Sequence, residues 1–157
     1  MMADVATESV PRERIVSLAR DWIGTPYLHQ ASRRGAGADC LGLIRGLYRD
    51  LYGAEPETPP AYTPDWAEAT GEETLIAAAG RHLQPIALDE AAPGDVVLFR
   101  FNPSSPAKHA ALLSASDRMI HAYGGRRVCE SYLAPWWRRR LAAAFAFPGA
   151  LPWRNSP

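Results

Sequence analysis

The sequence predicts an α+β domain, and three observations predict it. Helix-period apolar stripes fall before residue 83. Short apolar runs separated by turn residues follow residue 91. The 157 residues, 47% of them hydrophobic, suit one domain with one core. Helices first and an antiparallel sheet after is the α+β layout. The expected organisation is a flexible N-terminus over 1–10, a single domain over 11–150 and a tail over 151–157.

Each element has its own signal. Pro11 suits the first turn of a helix, because its fixed φ is already helical. Ile15, Leu18, Ala19 and Trp22 follow at helical spacing as one apolar stripe. Gly24 is the expected C′ residue, and Pro26 bars continuation. Residues 27–39 read as a loop rich in Gly, Ala and Arg. A second helix starts at Asp39 or Cys40, carries Leu41, Ile44, Tyr48 and Leu51 with Leu47 beside them, and closes at Gly53. Pro56, Pro59, Pro60 and Pro64 mark 54–70 as an excursion without regular structure. Residues 72–82 read as a short helix. A turn at 92–95 precedes a buried strand over 96–99, and 102–106 is another turn. Residues 109–113 and 119–123 read as a hairpin joined around 114–117, and 127–133 and 141–147 supply two further strands.

Composition excludes several functions. Lysine plus arginine number 17 and aspartate plus glutamate 17, so no general attraction to nucleic acid is expected. No apolar run approaches the roughly 20 residues of a membrane span, so no membrane insertion is expected. Asp4 and Glu8 come early with no apolar stretch, so the N-terminus does not read as a signal peptide, and the chain is expected to fold in the cytoplasm. Two cysteines, Cys40 and Cys129, are too few for a disulfide scaffold. A bridge between them would cap the thiol that the chemistry needs. Metal clusters use more closely spaced ligands, and no metal or cofactor is expected.

The chemistry centres on Cys40. It sits where a loop of small residues (Gly35, Ala36, Gly37, Ala38) turns into a helix, in a positive helix-end field that favours thiolate. Its own N–H is placed to donate to an oxyanion. Thiol hydrolysis also needs a base and a group that orients the base. His109 is the candidate base and His121 the candidate orienter. Their separation of twelve is even, so a hairpin turning near 115 sets both on one face, with one His109 nitrogen left for Cys40. Asp39 is better read as the N-cap of the second helix than as a catalytic group, since a carboxylate beside the thiol raises its pKa. His29 is placed to line the cleft. His82 at a helix end and Cys129 in a strand read as structural. Trp136-Trp137-Arg138-Arg139-Arg140 reads as an edge strand or loop with a solvated face, with binding of an anionic polymer as the alternative.

Five segments in order resemble the NlpC-type cell-wall peptidases, papain-like thiol endopeptidases of bacterial peptidoglycan. They are Trp22-Ile23-Gly24-Thr25-Pro26-Tyr27, Asp39-Cys40-Leu41-Gly42-Leu43, Pro93-Gly94-Asp95-Val96-Val97-Leu98-Phe99, Lys108-His109-Ala110-Ala111-Leu112-Leu113 and Met119-Ile120-His121-Ala122. The resemblance spans about residues 11–148. It implies a papain-like fold with a Cys40, His109, His121 triad. It also implies that the Tyr27 hydroxyl points into the site and, with the Asp39 segment, serves substrate or oxyanion. The implied substrate is the stem peptide of peptidoglycan, cut between D-γ-glutamate and a diamino acid. Many members have Ser after the cysteine, where this chain has Leu41. That version resembles the subgroup of phage and gene-transfer-agent tails, which implies tail-tip or hub partners and delivery to the wall by the tail. Two rivals stand beside this reading. One is a non-catalytic adaptor of the tail tip. The other is a zinc hydrolase using Cys40, His109, His121 and Cys129.

Overall fold

The computed structural model describes residues 9–55, 57 and 71–153. Most of the excursion expected over 54–70 lies outside the described residues, as do residues 1–8 of the expected flexible terminus. The architecture is α+β as predicted. In chain order the elements are α1 (Arg12–Arg20), β1 (Ser32–Arg33), β2 (Gly37–Ala38), α2 (Cys40–Tyr52), α3 (Thr74–His82), β3 (Gln84–Ile86), β4 (Val96–Phe99), β5 (His109–Ala115), β6 (Arg118–His121), β7 (Cys129–Tyr132), α4 (Pro135–Arg138) and β8 (Leu141–Ala146). Six strands form one sheet in the order β3-β8-β4-β5-β6-β7, every pair antiparallel. A β1–β2 hairpin forms inside the stretch that the sequence predicted as loop.

The sheet buries both faces, and alternation along β5 sorts its side chains. Ala110 and Leu112 join Val96, Leu98 and Ile120 against α1 and α2, where Ile15, Leu43 and Leu47 complete the larger core. Ala111 and Leu113 join Val97, Phe99 and Met119 on the other face, under Trp137 and Leu133.

The helices differ from expectation in instructive ways. α1 stops at Arg20 rather than running to Gly24. The chain tightens into three-residue bonds, Trp22 N–H to Ala19 O and Ile23 N–H to Arg20 O, and Gly24 N–H leaves for Val128 O at 2.8 Å. Gly24 holds a left-handed φ of 91° in that turn. α2 begins and ends as predicted, on the Asp39 cap and the left-handed Gly53. Its buried face centres on Leu43, Ile44 and Leu47, while Leu41, Tyr48 and Leu51 flank it partly buried. The rotation follows from Gly42 and Gly46, whose missing side chains let other groups approach. A Cβ on Gly42 would strike the carbonyl of Ala31, and one on Gly46 the ring of Trp22.

Two ties fix the ends of the domain. Val10, expected in the flexible N-terminus, is buried and pairs with the C-terminal stretch through Val10 N–H to Gly149 O at 2.8 Å and Leu151 N–H to Val10 O at 2.9 Å. Arg12 Nη1 meets the fully buried Asp95 at 2.7 Å and the carbonyl of Pro93 at 3.1 Å. Asp95 also accepts the Ala92 N–H at 2.9 Å, which closes the turn before β4.

Candidate active site

The nucleophile end is built from local bonds. Asp39 accepts the Gly42 N–H at 2.7 Å with one oxygen and the Gln30 N–H at 2.8 Å with the other. The first bond caps α2. The second holds Gln30 in a left-handed φ of 67°, rare for a side-chain-bearing residue. The buried carboxylate that the sequence read as a cap therefore also shapes the loop before Cys40. Its oxygen lies 3.9 Å from Nδ1 of His29.

Cys40 is half-buried and opens α2 beside the start of β5. Nearby backbone N–H groups of Ala110, Leu41 and Cys40 favour thiolate, but burial first and the charge on Asp39 second push the thiol pKa up to about 12. The sequence expectation of a thiolate is corrected: burial outweighs the helix-end field, and the thiol is neutral. Both cysteines are free.

The histidine end is built across strands. β5 and β6 pair Leu112 with Ile120 and Leu113 with Met119. The hairpin thus turns about 116, one residue later than predicted. Moving the centre by one residue shifts the register by two, so both histidines keep one face but sit diagonally. His109 Nε2 lies 2.9 Å from His121 Nδ1, and His121 Nε2 lies 2.9 Å from the Ser131 hydroxyl on β7. The first bond occupies Nε2 of His109 and leaves Nδ1 as its other ring nitrogen, on a residue that lines one cleft with Cys40. Burial and the neighbouring His121 push the His109 pKa well below its ordinary value, and burial takes His121 down to about 4. Both rings are neutral near pH 7.

A cleft of about 160 Å³ brings together Tyr27, His29, Asp39, Cys40, Lys108 and His109. Four of the five candidate site residues line it, and the fifth, His121, stands behind His109. Burial, then charge on Asp39, raises the Tyr27 pKa, so its hydroxyl stays protonated and able to donate. Phe101 and Tyr123 complete the cleft walls, with ring centroids 6.0 Å and 5.3 Å from His109. A second cavity of about 80 Å³ lies between α2, α3 and the sheet, lined mostly by apolar groups such as Leu41, Ile44, Leu75 and Leu98, and holds neither the cysteine nor the histidine pair.

Sequence reasoning missed Ser131 and Trp137. Trp136–Arg140 was expected to be an edge strand or loop, yet Pro135 opens a one-turn helix closed by Arg138 N–H to Ala134 O at 3.0 Å. The turn sets Trp137 edge-on to His121, centroids 5.3 Å apart at 89°, and 5.2 Å from His109. It shields the imidazole pair from water. Only pairing of β7 with β6 reveals Ser131, and a serine in a strand carries no local signal. Among the described residues no group of three His, Cys, Asp or Glu could hold a metal, so the zinc reading gains no support. No described helix is long and apolar enough to cross a membrane.

The model of the NlpC/P60 family matches residues 24–146. The chain is 30% identical over 149 residues to the gamma-DL-glutamyl hydrolase of Bacillus subtilis, covering 92% of this chain and 31% of that relative, so it spans about a third of the relative's length. It is similar in structure to the NlpC/p60 domain of the peptidoglycan hydrolase SagA, with TM-score 0.62, 23% identity, and 88% of this chain against 100% of that one. An NlpC/P60 family protein of Bacillus cereus superposes with TM-score 0.64 at 19% identity, over 89% of this chain and 41% of that one. RipD of Mycobacterium tuberculosis, a non-catalytic NlpC/p60 domain protein adapted to peptidoglycan binding, superposes with TM-score 0.53 at 14% identity, over 92% and 98%.

Proposed function

The chain belongs to the NlpC/P60 family, and on that premise we propose that it is a cysteine endopeptidase of peptidoglycan stem peptides. The observation that carries this reading is the buried His109–His121 pair ending at the cleft that Cys40 borders. His109 Nδ1 takes the Cys40 proton as the sulfur attacks the amide carbonyl carbon. The oxyanion that forms accepts from the Cys40 N–H and the Tyr27 hydroxyl. His109 then returns the proton to the leaving amine, giving a thioester that water hydrolyses through the same base. Because the resting pair is neutral, the proton moves as the substrate arrives, and His121 shares the charge that develops on His109.

The bond we propose is the γ-glutamyl amide, in line with the activity named for the Bacillus subtilis relative. Such an amide leaves the glutamate α-carboxylate free near the scissile carbonyl. Lys108 lines the cleft and supplies a cation for it, its Nζ 5.3 Å over the Phe101 ring. We propose further that the protein acts at the wall as part of a phage-like tail tip; the support is the Leu41 form of the nucleophile segment.

Digestion of purified peptidoglycan by the wild type and by Cys40→Ser, read by mass spectrometry, tests the function. New peptide ends from the wild type alone are expected. Products from both proteins would remove Cys40 as the nucleophile. Products from neither, with binding retained, would leave a wall-binding module.

A further inference from the structure

We infer that Ser131 is a positioning residue: its hydroxyl accepts the Nε2 proton of His121 and so holds His109 in the tautomer whose Nδ1 can take the Cys40 proton. This inference rests on the peptidase reading and extends it to a third strand. The observation is a continuous chain of side chains across the sheet, His109 on β5, His121 on β6 and Ser131 on β7, joined by two contacts of 2.9 Å.

Each neutral imidazole has one donor and one acceptor nitrogen, so the two contacts leave only two arrangements. In the first, His121 Nε2–H donates to Ser131 Oγ. His121 Nδ1 then accepts from His109 Nε2–H, and His109 Nδ1 keeps a lone pair. In the second every donor is reversed: Ser131 donates to His121 Nε2, His121 Nδ1–H donates to His109 Nε2, and His109 carries its proton on Nδ1. Only the first leaves a basic Nδ1 on His109, which lines the same cleft as Cys40. The ends of the chain select it. A thiol in the same cleft is a weak acceptor and can donate its proton, so a lone pair on Nδ1 suits it better than an N–H. Ser131 is half-buried, so its own hydrogen can turn to solvent while its oxygen accepts. Trp137 packs against both rings, and both histidines are buried.

The resting charge state makes the tautomer matter. An imidazolium carries both protons and needs no selection. A neutral His109 does need it, and burial keeps it neutral. When His109 takes the thiol proton, Nε2–H still donates to His121, and the chain needs no rearrangement.

The test uses the full chain labelled with 15N-histidine, with a γ-D-glutamyl-diaminopimelyl stem peptide as the kinetic probe. The chain has four histidines, so single substitutions of His29 and His82 help assign the ring signals. In the wild type, His121 Nε2 and His109 Nε2 are expected to be protonated and His109 Nδ1 unprotonated. Ser131→Ala should lower kcat by about tenfold with KM unchanged and mix the tautomers, since one accepting bond is lost. Ser131→Thr, which keeps the hydroxyl, should restore both. A protonated His109 Nδ1 in the wild type would overturn the inference. So would a Ser131→Ala protein with wild-type kcat and an unchanged spectrum. If the wild type cuts no stem peptide, the peptidase reading fails, and the tautomer signals still decide the role of Ser131.

Discussion

The two ends of the cleft are held by different kinds of bond. Asp39, the residue before Cys40, is placed by partners close in sequence, Gln30 and Gly42. His109, His121 and Ser131 meet only because three strands pair in one register. The first end is set by a helix cap and the second by the sheet. Their electrostatics differ as well. The cap brings a buried negative charge beside the thiol, while the sheet end is neutral and packed against Trp137. The nucleophile therefore rests protonated, and the site depends on a base held ready rather than on a stored thiolate.

Substitutions that break one end and spare the other sharpen this contrast. The largest effect belongs to the base. His109→Gln should lower kcat on a stem peptide by about a thousandfold while the fold, read by circular dichroism, is kept. A loss under tenfold would remove His109 from proton transfer. The next effect is on stability. The unfolded histidines titrate near 6.5, and the folded pair lies below that, His121 at about 4. Between those values the unfolded chain binds more protons, so stability is full above about pH 6.5 and falls as pH drops through the window. At pH 5 the His121 contribution alone amounts to about 2 kcal/mol of lost stability, visible in urea midpoints. His121→Gln should flatten that slope, and an unchanged slope would contradict the neutral pair.

At the other end, Asp39→Asn keeps an oxygen for the Gly42 N–H and removes the charge. The alkylation rate of Cys40 should then rise at a lower pH than in the wild type, because one cause of the raised thiol pKa is gone. A profile at the same or higher pH would mean that Asp39 does not act on the thiol by charge. The smallest effect is expected at the rim. Lys108→Met should raise KM about tenfold for a γ-glutamyl substrate with a free α-carboxylate and leave the α-amide nearly unchanged. Equal effects on both substrates would remove the carboxylate contact.

The same division explains what was legible in the sequence. Asp39, Cys40 and Gly53 announce a capped helix, because caps depend on residues three or four apart. The strands of the hairpin were legible from their apolar runs, and the parity of His109 and His121 survived an error of one residue in the turn. Ser131 and Trp137 were not legible in their roles. Their contacts are set by β6–β7 pairing and by a one-turn helix after Pro135, neither of which leaves a periodic pattern. Val10 was missed for a similar reason: its burial depends on Gly149 and Leu151 at the far end of the chain. The thiol charge state was misjudged because a helix-end field can be read locally, whereas burial of the sulfur against Ala110 cannot.

The most direct measurement is rapid quenching of the wild type on a stem peptide, with intact mass and fragment mapping of the protein. An acyl adduct on the peptide carrying Cys40, formed and lost at the rate of turnover, is the predicted result. Turnover with the adduct on another residue, or with Cys40 blocked by alkylation, would contradict the account.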